Sequence, residues 1–148
     1  MKKLILTLAL SLTAIAQAHD EGHGPKLADS GKYGGLVSAV VLKSDAGKGA
    51  SAPIVHKAEL VRSADGTTRV YLYDAAMKPL DSKGFDPNGT ASLAAKVKGK
   101  WKSVTFPLNL KDKSFLGTMP KPEAKPYNID ITLKQDGKEL LSAFDNLD

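Results

Sequence analysis

Three histidines hold most of the coordination chemistry open to this chain, and two of them stand close together in His19-Asp20-Glu21-Gly22-His23-Gly24-Pro25. What precedes them reads as a secretory leader. Lys2 and Lys3 make a basic start, Leu4 to Ile15 is apolar, and Ala16-Gln17-Ala18 is a small-x-small cleavage site. Cleavage after Ala18 makes His19 the first residue of the exported chain. A terminal histidine offers one metal ion both its α-amine and a ring nitrogen. Their unperturbed pKa values, roughly 7.7–8.0 and about 6.5, lie close enough to neutrality that both can give up a proton to a metal ion there.

A third nitrogen would come from His23 or from His56. Nitrogen-only, planar or T-shaped coordination suits Cu(II), which heads the affinity order of the divalent metals. Asp20 and Glu21 would instead complete a Zn(II) site. Gly22 and Gly24 let the segment fold back, and Pro25 fixes its exit. Against this stands a solvated terminal tail, since ordering each residue costs about 1–2 kcal/mol that coordination must exceed. His56 falls in the apolar phase of a strand, so it reads either as a ligand or as a buried, hydrogen-bonded structural residue. Met77 and Met119 are soft enough for Cu(I) but read as core packing.

Other motifs carry less. Asp86, Asn88 and Gly89 lack the remaining oxygen ligands of a calcium loop and read as a turn. Asn88-Gly89-Thr90 fits an N-glycosylation pattern, relevant only in a eukaryotic secretory route. Three histidines, two of them on the tail, do not assemble a Ser-His-Asp nucleophile. Glu59, Asp74 and Asp81 read as solvated strand acids, with no spacing that pairs them.

The 148-residue chain has no cysteine. That removes a lipid-anchored cysteine, a disulfide framework, a thiolate metal site and a cysteine nucleophile together. The net charge is +5, and all basic residues except Arg62 and Arg69 are lysines. They are scattered among acids, which describes a solvated surface and not a nucleic-acid groove. The leader's apolar run is shorter than the ~20 residues a bilayer crossing takes, and no later run is longer, so the exported chain has no membrane span. Periplasmic or secreted localisation is the expectation.

The elements that must position these residues are strands. Leu36 to Leu42 is β-branched and apolar, whereas Lys43 to Pro53 is a loop of small and polar residues. Ile54 to Arg62 alternates, with Ile54, His56, Ala58 and Leu60 on one face. Asp65-Gly66 turns it into Thr67 to Asp74. Leu93, Ala95 and Val97 mark a further strand, and Val104, Phe106, Leu108 and Leu110 another, where Pro107 in the opposite phase suggests an edge. Ile129, Ile131 and Leu133 alternate most clearly, and Asp136-Gly137 turns them into Glu139 to Phe144. No segment after the leader has a convincing helical period. The spacing predicts an all-β fold, an antiparallel immunoglobulin-like β-sandwich of about seven or eight strands. The organisation expected is a cleaved signal peptide over 1–18, a flexible histidine-containing segment over 19–34 and the β-domain over 35–148.

Lys32-Tyr33-Gly34-Gly35, Ile54-Val55-His56-Lys57-Ala58-Glu59-Leu60-Val61 and Val70-Tyr71-Leu72-Tyr73-Asp74 resemble stretches of small periplasmic β-sandwich proteins of Gram-negative bacteria. These have a histidine-rich N-terminus and are associated with copper or heavy-metal handling. The likeness covers about Gly22 to Leu80. The terminal histidine also resembles the histidine brace of copper-binding periplasmic proteins and copper oxygenases. That resemblance implies His19 as amine and ring donor, with His23 or His56 as the second ring. The function expected is a periplasmic copper carrier or buffer, not an enzyme, whose partners are the metal ion and a periplasmic protein. The alternatives are a non-catalytic interaction domain that uses no metal and, third, a copper-dependent oxidase or oxygenase.

Overall fold

The computed structural model describes residues 24–148. Eight antiparallel strands follow in chain order: β1 (Leu36–Leu42), β2 (His56–Arg62), β3 (Thr67–Tyr73), β4 (Asn88–Val97), β5 (Lys100–Lys111), β6 (Ser114–Thr118), β7 (Tyr127–Gln135) and β8 (Lys138–Leu147). Their lateral order, β1-β2-β3-β6-β5-β4-β7-β8, closes on itself. The all-β, antiparallel expectation holds. The two-sheet sandwich does not describe the closure, because β1 pairs with β8 through Val40↔Ser142, Val41↔Leu141 and Leu42↔Leu140, making a barrel. Alternation and turn spacing report that strands exist and which face is apolar. They do not report whether the first and last strands meet.

Alternation sorts the side chains into an inside and an outside. Inside lie Val40, Ala58, Leu60, Val70, Leu72, Ala91, Leu93, Phe106, Leu108, Phe115, Ile129, Ile131 and Phe144. An eight-stranded barrel is just wide enough for its interior to be filled by such side chains. One mouth is covered by the β3–β4 connection, whose Phe85 packs edge-on against Phe115 with centroids 6.2 Å apart. At the other mouth Arg62 donates to the Tyr127 hydroxyl.

β6 has no counterpart among the strands expected from the sequence. Ser114–Thr118 is short and contains Gly117, and its hairpin turns at Asp112, a non-glycine residue with φ 59°, where no Asp-Gly or Asn-Gly signal appears. Lys43–Ser51, expected as a loop, winds into a 3₁₀ segment. The residue after it, Ala52, is buried on the outside of the barrel with Ala39, Val41 and Leu27. The expected loop thus contributes one residue, Ala52, to a second, small apolar cluster.

Candidate functional site

His56 opens β2 and pairs with Val40 across the β1–β2 ladder. Its ring turns inward at the mouth, 6.0 Å from the Phe85 ring. Gln135, at the end of β7, meets Nε2 through Oε1 at 2.6 Å. As an acceptor, Oε1 requires the proton on Nε2, which leaves the lone pair on Nδ1. This is the second-shell arrangement that fixes a ligating histidine, and equally one that satisfies a structural histidine.

His19 and His23 lie outside the described residues, so His56 is the one expected ligand whose place is given. Among the described residues no three His, Asp or Glu side chains are grouped closely enough to hold a metal ion. The chain enters on the outer face of β1: a Cβ added to Gly24 would lie 3.2 Å from that of Ala39. Ala39 pairs with Lys57 and Val40 with His56. The entry point and His56 are therefore on opposite faces of the β1–β2 ladder. Met119 packs against the core. Met77 sits at φ 60° in a turn built on the Asp74 carboxylate, which accepts from the N–H groups of Ala76 and Lys78.

The most developed polar site on the barrel was not expected. Glu59 lies mid-strand on the outer face of β2, in the phase that normally faces water, yet it is 0% exposed. The chain ahead of β1 crosses over it at residues 31–35. Its Oε2 accepts from Lys32 N at 2.9 Å and from the Tyr73 hydroxyl at 2.7 Å. Its Oε1 accepts from Tyr33 N at 2.8 Å and Gly35 N at 2.9 Å. Burial by itself raises the Glu59 pKa, but the Tyr73 hydroxyl and the Gly35, Tyr33 and Lys32 N–H groups outweigh it and hold the carboxyl below its ordinary value. Burial, and then the same pairing with Glu59, push the Tyr73 hydroxyl well above the usual tyrosine range.

Further contacts hold the crossing segment. Lys57 Nζ bonds both Asp29 oxygens, at 2.9 and 2.8 Å. Tyr33 stacks on Tyr71 with centroids 4.0 Å apart and an interplanar angle of 18°. Lys32 Nζ lies 5.7 Å above the Tyr73 ring. Two glycines let the backbone come this close: a Cβ on Gly31 would strike Glu59 Oε1, and one on Gly35 the Leu60 carbonyl. Four donors on one carboxylate leave it little capacity to take a proton from a substrate, so Glu59 acts as a clasp. The sequence signal was slight, a Gly-x-x-Gly-Gly run ahead of β1.

Neither a protein-family model, nor a curated protein, nor a solved structure matches this chain. No helix among the described residues is long and apolar enough to cross a membrane.

Proposed function

We propose that the protein is an exported, periplasmic metal-binding protein, a copper carrier or buffer whose primary chelate is the α-amine and imidazole of His19. One observation carries this reading: His19 directly follows the Ala16-Gln17-Ala18 cleavage signal, with His23 four positions on. A six-membered chelate from a single residue, closed through the α-amine and Nδ1, offsets much of the entropy of ordering a chain end. His23 supplies the next ring nitrogen. His56, with Nε2 tied to Gln135, has Nδ1 as its coordinating atom.

The barrel's part in this reading is to tether the chelate. The clasp on Glu59 and the Lys57–Asp29 pair fix the chain ahead of β1. Interior positions are filled with side chains, which leaves the periphery as the place for a small cargo.

The test is a Cu(II) titration of the exported chain, its N-terminus verified by intact mass, beside a variant with one alanine inserted before His19. A single tight, nitrogen-rich site by electron spin resonance that the insertion abolishes supports the carrier. Weak, non-stoichiometric binding that ignores the insertion overturns it.

A further inference from the structure

Strand direction sorts the charges of this chain. Every strand of the barrel runs antiparallel to its neighbours, so connections after odd-numbered strands fall at one end and those after even-numbered strands at the other. Asp45, Asp74, Asp81, Asp86, Asp112 and Asp136 all lie on connections of the first kind, interleaved with lysines. Connections of the second kind carry only two acids among the described residues, Asp65 and Glu123. The last residue, Asp148, comes to the same end, where its carbonyl accepts from Arg62 at 3.4 Å. Against these stand Lys98 at the β4–β5 turn, Lys96 and Lys100 beside it, and Lys121 and Lys125 on the β6–β7 connection. Lysines that are scattered along the sequence are thus gathered at one end of the barrel.

The β4–β5 hairpin projects at this end. The last rung between β4 and β7 is Ala95↔Tyr127, whereas β4 and β5 stay paired as far as Val97↔Lys100. Lys96, Lys98, Lys100 and Lys102 are all exposed, and no acidic residue occurs between Asp86 and Asp112. Glu123 approaches Lys102 Nζ at 3.3 Å, but both side chains are more than half exposed, so the pair is screened and exchangeable. Ala95 belongs to the barrel interior, and its cross-strand partner Lys102 shares that phase with Lys100. Lys96 takes the opposite face, and Lys98 stands at the turn between them.

A partner lying along one face of the hairpin meets only part of this row. A surface met end-on reaches all of it, together with Lys121 and Lys125. We propose that this end of the barrel docks on an anionic phospholipid bilayer, its lysines lying among the headgroup phosphates. In juxtamembrane segments and amphipathic helices, clusters of about four to eight Lys or Arg read as anionic-lipid contacts, and the same electrostatics apply to a hairpin. A lysine ammonium is a compact point charge that needs no fixed partner geometry, which suits laterally mobile headgroups. Contact of this kind is reversible and salt-dependent. It leaves the mouth that holds His56, at the other end of β2, facing away from the lipid. The docking does not depend on the metal reading, and the results below do not bear on the copper titration.

The test is co-sedimentation of the exported chain with two kinds of vesicle, phosphatidylcholine alone and phosphatidylcholine mixed equally with phosphatidylglycerol. At low ionic strength the protein should sediment with the mixed vesicles and stay in solution with the neutral ones. It should leave the mixed vesicles in about 1 M salt, where the screening length falls to about 3 Å. Lys98→Asn/Lys100→Gln should weaken the partition about tenfold or more. Asparagine tolerates the φ of 50° at position 98. Lys121→Gln/Lys125→Gln, on a separate connection, should weaken it in the same direction. Lys83→Gln/Lys113→Gln removes the same charge from the other end and should leave the partition unchanged, with circular dichroism confirming each fold. Equal sedimentation with neutral vesicles, equal losses from variants at the two ends, or no sedimentation with the mixed vesicles each overturns the proposal. So does binding of polyglutamate in preference to the mixed vesicles, which would make this end an acidic-protein contact.

Discussion

Tyr73 donates its phenolic hydrogen to Glu59 Oε2 at 2.7 Å on the outer face of the barrel, where both side chains are buried by a segment with no regular structure. Lys57 and Tyr73 are cross-strand partners, as are Glu59 and Tyr71. Four neighbouring side chains on two strands thus hold the crossing segment by different means: an ion pair to Asp29, hydrogen bonds to three backbone N–H groups, an aromatic stack and a phenol locked onto the carboxylate. A carboxylate taken from water is costly unless its lone pairs are filled. Here the backbone of residues 32–35 fills them.

Substituting Glu59→Gln should destabilise the fold by about 3 kcal/mol, because an amide places its own donors against a shell of donors. Tyr73→Phe removes one charge-assisted bond of four and should cost about 2 kcal/mol. Urea titrations give both values. Trypsin should also cut after Lys26 and Lys32 faster in Glu59→Gln than in the parent under native conditions, since the clasp is what closes that segment. Equal cleavage in the two proteins would mean that other contacts hold it.

Acid should loosen the same clasp. The folded-state pKa of Glu59 lies below its ordinary 4.5, so the carboxylate's contribution is fully present above about pH 4.5 and is lost as pH falls through the lower folded value. Asp74, held low by its hydrogen bonds from the Lys78 and Ala76 N–H groups, acts in the same direction. Stability measured from pH 6 to pH 2.5 should fall with a slope of up to about 1.4 kcal/mol per pH unit per proton. Glu59→Gln should start lower and fall less steeply. Parallel curves for variant and parent would exclude Glu59 as a source of the slope.

Gly35→Ala should cost about 2–3 kcal/mol, since its Cβ would meet the Leu60 carbonyl and the Glu59 side chain and neither can retreat without breaking the clasp. Gly47→Ala is the control, with nothing near its Cβ position. A thermal melt of the two variants separates steric exclusion at the clasp from any general effect of adding a methyl group.

The inward face of the barrel was legible because apolar residues recur at every second position, as in Ile129, Ile131 and Leu133, and because Asp-Gly pairs announce two of the hairpins. Closure was not legible, since β1 and β8 meet through ordinary backbone ladders that leave no mark on side-chain type. Glu59 was misread for a related reason. A strand places it on the water side, and only a segment far from it in sequence turns that side into an interior. His56 was placed correctly in the inward phase, but its partner Gln135 comes from the far end of the chain, and no spacing rule connects them.

The His56–Gln135 bond offers a way to divide the candidate ligands. His56→Ala should cost the fold about 1–2 kcal/mol through the lost hydrogen bond and ring contact. If Nδ1 of His56 joins the proposed copper site, the same change lowers Cu(II) affinity without altering the stoichiometry, because the His19 chelate persists. Gln135→Leu is the sharper probe. It keeps the histidine and frees its tautomer, so a ligating His56 should bind copper about tenfold more weakly, whereas a purely structural one should change stability alone. Titrations of both variants beside the alanine-inserted chain therefore distinguish a site completed by the barrel from one confined to His19 and His23.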